Sequence, residues 1–450
     1  MTVTAKAPIH VGKNIDEVSV ADVAKRARAA SRSLAKLSND YRNEVLMAVA
    51  KAIEDSGRRI LEANAEDCRG AEPFVREGKM SSSMFARLRV SERGIGEMAT
   101  RVRSVVALPD PLGRKLTSTE LDDGLILYKE TCPLGVVGII FEARPDVAPQ
   151  VASLALKSGN TIILKGGAEA ANTNEVLVSI WRECLAEFPE VPADSIQLLH
   201  TRADVLELLA LDHDVDLIIP RGSRELVEFV MEHSRIPVLG HGEGICHVYV
   251  DRAADMEKAV RVTFDSKVQG PAICNAAETL LVHQDIAAKF LPEMISKLQA
   301  AGVEIRGCSK TMALLAKPEI VPAVEKDWAT EYGDLILSVK IVADVDEAIT
   351  HINRYGSRHT DSIVTEDAAT AKQFMDEVDA AGVFQNASTR FSDGFRYGLG
   401  AEVGISNGKL HARGPVGLEG LTTYKYKLFG NGQIVAEYSS GSKHFKHRAL

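Results

Sequence analysis

The sequence predicts an α/β fold built on two parallel sheets. Three observations carry that reading. Apolar runs of strand length recur from residue 136 onward, most followed by a stretch with helical spacing. The runs are continuous rather than alternating, as in strands covered on both faces. The pattern pauses once, across a Gly-rich crossover at 237–249, and then resumes. A chain of 450 residues is also too long for one hydrophobic core, so two or three domains are expected.

Residues 19–65 are rich in Ala, Arg, Glu and Leu, with apolar residues three and four apart. That spacing predicts two long amphipathic helices. Ser38-Asn39-Asp40 supplies an N-cap for the second. Asp123-Gly124, between the strand-like parts of 121–129, predicts a hairpin. The first α/β block has strands at 136–141, 161–164, 195–199 and 215–219. Its helices lie at 147–157, at about 172–188, and after each of the last two strands. The second block has helices at 254–264, 287–300 and 345–353 and strands at 279–282 and 335–342. Residues 386–420 are dense in Gly, Arg and Ser and read as ordered functional loops.

Composition narrows the function. Net charge is -9, which argues against a nucleic-acid surface. No apolar run is long enough to span a membrane. Residues 1–16 lack a continuous apolar core, so no secretory signal is expected. The six cysteines stand at 68, 132, 184, 246, 274 and 308, with no CxxC pair and no zinc-like spacing with histidine. No metal site is expected, and a reducing cytoplasm fits best.

Cys274 carries the chemistry. It follows Gly270-Pro271 and precedes an apolar strand, so the thiol is expected on a loop at an element end. A thiolate is a strong nucleophile near neutral pH and can hold an acyl group as a thioester. A lone cysteine is otherwise a small buried hydrophobe, so its neighbours decide the matter. Lys165-Gly166-Gly167 ends a predicted strand, at the edge where parallel sheets bind ligands; the lysine either contacts a ribose or phosphate or is simply solvated. Arg221-Gly222-Ser223 closes another strand and opens a helix. Ser223 is a natural N-cap there, with or without a bound phosphate. Gly240-His241-Gly242-Glu243-Gly244 is no dinucleotide loop, because a strand follows it instead of a helix.

The order of these features resembles the aldehyde dehydrogenase superfamily. Longer motifs narrow the resemblance: Gly138-Ile139-Ile140-Phe141-Glu142-Ala143-Arg144-Pro145-Asp146, the segment 271–283 around Cys274, Asn386-Ala387-Ser388-Thr389-Arg390-Phe391-Ser392-Asp393-Gly394, the segment 398–406, and His411-Ala412-Arg413-Gly414-Pro415-Val416-Gly417. They are similar to the gamma-glutamyl phosphate reductases, also called glutamate-5-semialdehyde dehydrogenases, nearly end to end. The resemblance implies an aldehyde-dehydrogenase-like fold with two parallel-sheet α/β domains and a small β oligomerisation element. On this resemblance residues 1–116 and 133–250 are expected to form the NADP-binding domain, 251–410 the catalytic domain, and 117–132 with 411–450 the oligomerisation hairpin and tail.

The implied reaction is the NADPH-dependent reduction of L-glutamyl 5-phosphate to L-glutamate 5-semialdehyde, in proline biosynthesis. Cys274 is then the nucleophile, with Arg144 and Asn275 in the catalytic set. Lys165, Gly166, Ala168, Arg221, Gly222, Ser223 and Glu331 bind NADPH or NADP, and Arg144, Arg390, Arg396 and Arg413 are the substrate candidates. A homodimer or homotetramer is expected, with glutamate 5-kinase as a separate partner because the chain starts directly in the reductase-like region. The alternative is a phosphate-independent aldehyde dehydrogenase acting on another semialdehyde.

Three departures from ordinary aldehyde dehydrogenases bear on the choice. Where hydrolytic members carry a Glu base, this chain has Gly240, with Glu243 close by but out of register. Where they carry an Asn oxyanion donor, it has Arg144, whose guanidinium suits a phosphate or an oxyanion. Where NAD-selective members hold the ribose with a Glu, it has Ala168, although Glu169 is adjacent.

Overall fold

The computed structural model describes residues 19–240, 242–315 and 319–450. The leader reading of 1–16 and His241 of the Gly-rich crossover lie outside the described residues.

Residues 19–65 do not form two helices. Three helices begin there, Val20–Leu34, Asn39–Asp55 and Gly57–Arg76, the last running past the expected end. Ser38 caps the second by accepting the Tyr41 N–H, as its position suggested. The unforeseen break is at Ser56, whose φ of -92 and ψ of 12 interrupt the helical path just before Gly57.

The first sheet has four parallel strands in the order Ile196–Leu198, Thr161–Lys165, Val136–Phe141, Leu217–Arg221. Val136–Phe141 is paired on both sides and buried at every position, which explains its unbroken apolar sequence. Leu34, Val45, Ile53 and Val102 of the N-terminal helices pack with Val137 and Ile139 of the sheet in one core.

The second sheet has seven parallel strands, in the order Val321–Pro322, Glu304–Gly307, Ile336–Val342, Ala277–His283, Cys246–Val250, Thr360–Val364, Gly382–Gln385. This corrects the boundary at 250. Cys246–Val250 pairs with Ala277–His283 and Thr360–Val364, so the second sheet starts at residue 246. An apolar strand this completely buried needs neighbours on both edges, and only the second sheet supplies them. The boundary at 410 also moves. Ala401, Val403, Val416 and Leu418 pack into the first core, so the chain has returned there by residue 401.

The hairpin Lys115–Asp122 and Leu125–Pro133 turns at Gly124, with φ +66. Thr422–Phe429 adds to it as an outer antiparallel strand, and Arg448–Ala449 covers the other edge. Among the described residues no helix is long and apolar enough to cross a membrane.

Candidate active site

Cys274 lies in the short connection from the helix Met256–Val268 to the strand Ala277–His283. A tight turn presents it: the Ile273 N–H donates to the Gly270 carbonyl at 3.1 Å and the Ala276 N–H to the Ile273 carbonyl at 2.8 Å. Behind it passes Gly244, where any side chain would collide with the Cys274 main chain. The Cys246 thiol donates to the Cys274 carbonyl at 3.4 Å. The Asn275 amide donates to the Ser392 carbonyl at 2.8 Å, and the Thr389 hydroxyl donates to the Asn275 carbonyl at 2.6 Å. Asn275 therefore ties the nucleophile loop to the 388–392 loop.

The thiol borders a cavity of about 470 Å³ that Arg144, Arg221, Glu331 and Glu402 also line. Burial pushes the Cys274 thiol up to about 12; the charges of Glu331 and Glu402 add to this, and those of Arg221 and Arg390 oppose it. At neutral pH the sulfur rests protonated, so its proton must be handed on during attack.

Arg144 meets the cavity without an anionic partner. Its guanidinium makes no hydrogen bond and no ion pair with the described residues. Burial, then the neighbouring Arg221 and Arg87, pull its pKa below the usual value, yet arginine stays charged in proteins. Arg221, at the end of Leu217–Arg221, lies 4.0 Å from Glu402, a loose pair. Sequence reasoning gave Arg221 to the cofactor; the structure also turns it toward the nucleophile. Glu402 was missed. It is a single acid among small residues, and that contrast within a Gly-rich loop was its signal.

Arg390 is 4% exposed. Its Nε donates to Gln269 at 2.9 Å, while Nη1 has no partner. Arg396 is exposed and donates to the Arg390 carbonyl, so it buttresses that residue. Arg413 does not join them. The chain turns through positive φ at His411 and Ala412, and Arg413 pairs with Asp379 at 2.9 Å beside a separate groove.

The other sheet edge carries the cofactor candidates. Lys165 is 8% exposed and donates to the Gly166 carbonyl at 2.6 Å; burial lowers its pKa. Gly166 has no room for a side chain against Asn174. Ala168 is exposed. Glu169 is turned away to accept the Ala143 N–H at 2.6 Å. Ser223 caps the helix Arg224–His233 as expected. That helix N-terminus already holds an anion, for the Ser223 N–H donates to the Glu142 carboxylate at 2.7 Å and Gly222 leaves room for it. Glu331 accepts the Gly244 N–H at 2.9 Å, and burial raises its pKa. Beneath it, Lys267 and Glu278 form a fully buried ion pair at 2.6 Å, and the Gly333 N–H donates to Glu278 at 3.2 Å. Sequence reasoning passed over that pair.

The family model described as the aldehyde dehydrogenase family matches residues 4–311. The chain is 54% identical to gamma-glutamyl phosphate reductase of Synechococcus sp. over 94% of this chain and 92% of the relative. It is 55% identical to that of a Cyanothece species, covering 96% and 98%. The chain belongs to the aldehyde dehydrogenase family, in its gamma-glutamyl phosphate reductase branch. A crystal structure of the gamma-glutamyl phosphate reductase from Thermotoga maritima superposes with a TM-score of 0.89 at 44% identity, over 93% of this chain and all of that one. An acetylating aldehyde dehydrogenase from Geobacillus thermoglucosidasius, 19% identical with a TM-score of 0.63, shares the fold. As a member of this family the chain is an oxidoreductase of small molecules, in a family that uses nicotinamide cofactors.

Proposed function

We propose that the chain reduces L-glutamyl 5-phosphate to L-glutamate 5-semialdehyde and phosphate through a thioester on Cys274, with NADPH as reductant, as the second step of proline formation from glutamate. The observation that carries this reading is one cavity holding both a thiol and a guanidinium without a partner, Cys274 and Arg144. An acyl group with an anionic leaving group matches that pair.

Cys274 Sγ attacks the acyl carbon. The oxyanion is held by the Cys274 backbone N–H and by Arg144, as preorganised donors. Arg144 and Arg221 receive the phosphate, and the unpartnered Nη1 of Arg390 is the cation left for the α-carboxylate. Phosphate departs and leaves the thioester. Water is not activated from the position of the hydrolytic base: Gly240 stands there against Pro220, and Glu243 is paired with Arg224. Lys165 and Ala168 would hold NADPH, with Glu331 on the nicotinamide side, and the bound cofactor would supply the hydride that reduces the acyl group. Exposed Ala168 and inward-turned Glu169 leave no carboxylate to repel a 2′-phosphate there, which supports NADP over NAD.

Thr422–Phe429 supports a homodimer or homotetramer: it is an edge strand that exposes Tyr424 by 47%, Tyr426 by 60% and Leu428 by 56%. Six free cysteines fit a reducing cytoplasm. Glutamate 5-kinase would supply the acyl phosphate.

The test is to trap the intermediate. Enzyme incubated with glutamate 5-semialdehyde and NADP, without phosphate, is quenched in acid and digested. A glutamyl adduct on the Cys274 peptide is expected. An unmodified Cys274 with full NADPH production would exclude the thioester.

A further inference from the structure

Resting on that reading, the structure raises a question of proton balance. Thioester formation from a thiol can be written Cys274–SH + R–CO–OPO3²⁻ → Cys274–S–CO–R + HPO4²⁻. The S–C bond forms and the C–O bond to phosphate breaks, with its electron pair staying on the phosphate oxygen. Unprotonated, that oxygen would leave as the strongly basic PO4³⁻. The proton it needs is the one the thiol loses, and a group beside both atoms must carry it.

Five acids border this site or its rim, and each has at least one partner. Glu142 accepts the Ser223 N–H at 2.7 Å. Glu331 accepts the Gly244 N–H at 2.9 Å. Asp393 accepts the Arg396 N–H at 3.1 Å. Glu243 is paired with Arg224. Glu402 differs. Its Oε2 is fixed by the Gly394 N–H at 2.8 Å, where the missing side chain of Gly394 makes room for it. Its Oε1 faces Arg221 across 4.0 Å, too far for a hydrogen bond. That oxygen points at the guanidinium assigned to phosphate, in the cavity that holds Cys274.

We propose that Glu402 is the acid–base residue of the phosphate step. Its carboxylate takes the Cys274 thiol proton and passes it to the departing phosphate oxygen; in the reverse direction it takes the proton of the entering HPO4²⁻. Burial holds its carboxyl above the usual range, while the charge of Arg221, the Gly394 N–H and the charge of Arg144 lower it and that of Asp393 raises it.

The experiment separates this role from the overall reaction. Enzyme is acylated with glutamate 5-semialdehyde and NADP without phosphate; inorganic phosphate is then added, and loss of the acyl mass is followed by intact-protein mass spectrometry. Wild type should clear promptly. Glu402→Gln should acylate to the same stoichiometry yet clear about 10²–10⁴-fold more slowly, the usual range for loss of a general acid or base. The concentration of phosphate giving half-maximal clearance should not rise, because a negative charge beside Arg221 has been removed. Glu402→Asp should regain part of the rate. Clearance by Glu402→Gln at the wild-type rate overturns the proposal. So does slow clearance with a raised phosphate requirement, which is the mark of a merely structural tie to Gly394. A wild-type acyl-enzyme that phosphate does not clear overturns instead the reading on which the proposal rests.

Discussion

Two arginine-rich surfaces arise from similar loops and differ in how their cations are partnered. Around Arg413 the cations share an anionic partner: Arg413 at 2.9 Å, Lys409 at 2.8 Å and Arg358 at 3.4 Å all converge on Asp379. Around Cys274 they do not. Among the described residues Arg144 lacks a partner, Arg221 is held off its carboxylate at 4.0 Å, and Arg390 has an unpartnered Nη1 at 4% exposure. A guanidinium kept from its counter-ions is costly without an anion, and on the proposed reading the substrate would supply one. The contrast teaches that a close carboxylate partner, not loop composition, separates a structural arginine from a recognition one.

The largest expected effect is at the nucleophile. Cys274→Ala should abolish turnover while NADP binding and the unfolding transition persist, checked by steady-state assay, cofactor titration and thermal melting. Substantial residual turnover would contradict covalent catalysis. Next, the two surfaces should separate on truncation. Arg144→Ala should lower kcat by about 10²–10³-fold, as for loss of an oxyanion donor. Arg413→Ala should leave kcat/KM unchanged and lower stability by about 0.2–1 kcal/mol, the range for an exposed ion pair. Equal kinetic losses at both positions would erase the comparison.

Much of this architecture was legible. Val136–Phe141 and Val147–Lys157 are both buried almost throughout, and continuous apolar sequence is the clearest signal of such elements. The Ser56 break was hidden because Ser and Gly are tolerated inside helices, and only the tertiary path shows that the helix ends there. The boundary at 250 was misplaced because strand periodicity does not say which sheet a strand joins. At the site, Cys274 and Arg144 could be named because chain-local motifs surround them. Glu402 and the Lys267–Glu278 pair could not, since their meaning lies in partners brought together by folding. Arg413 misled for the same reason, as its counter-ion Asp379 is 34 residues away in sequence.

A smaller effect sharpens the cofactor edge. Ala168→Glu should shift the ratio of kcat/KM values from NADP toward NAD, since like charges brought together can cost several kcal/mol. An unchanged ratio would show that Ala168 does not face the adenosine ribose. Smaller still is a pH effect on the free enzyme. With its thiol pushed up to about 12, Cys274 should be alkylated by iodoacetamide at a rate that climbs from pH 7 to pH 10 without levelling. The sign follows from the thiolate fraction, which grows about tenfold per pH unit below the pKa. A plateau below pH 8 would mean that the arginines, not burial, dominate at the sulfur.

The most direct test of the central claim is stopped-flow absorbance in the oxidative direction with wild-type enzyme, glutamate 5-semialdehyde and NADP. Without phosphate, a burst of NADPH near one per active site should be followed by slow leakage, because no base at Gly240 activates water. Adding inorganic phosphate should restore steady turnover and yield glutamyl phosphate. Rapid release of free glutamate at the same rate with and without phosphate would contradict the account and mark the site as hydrolytic.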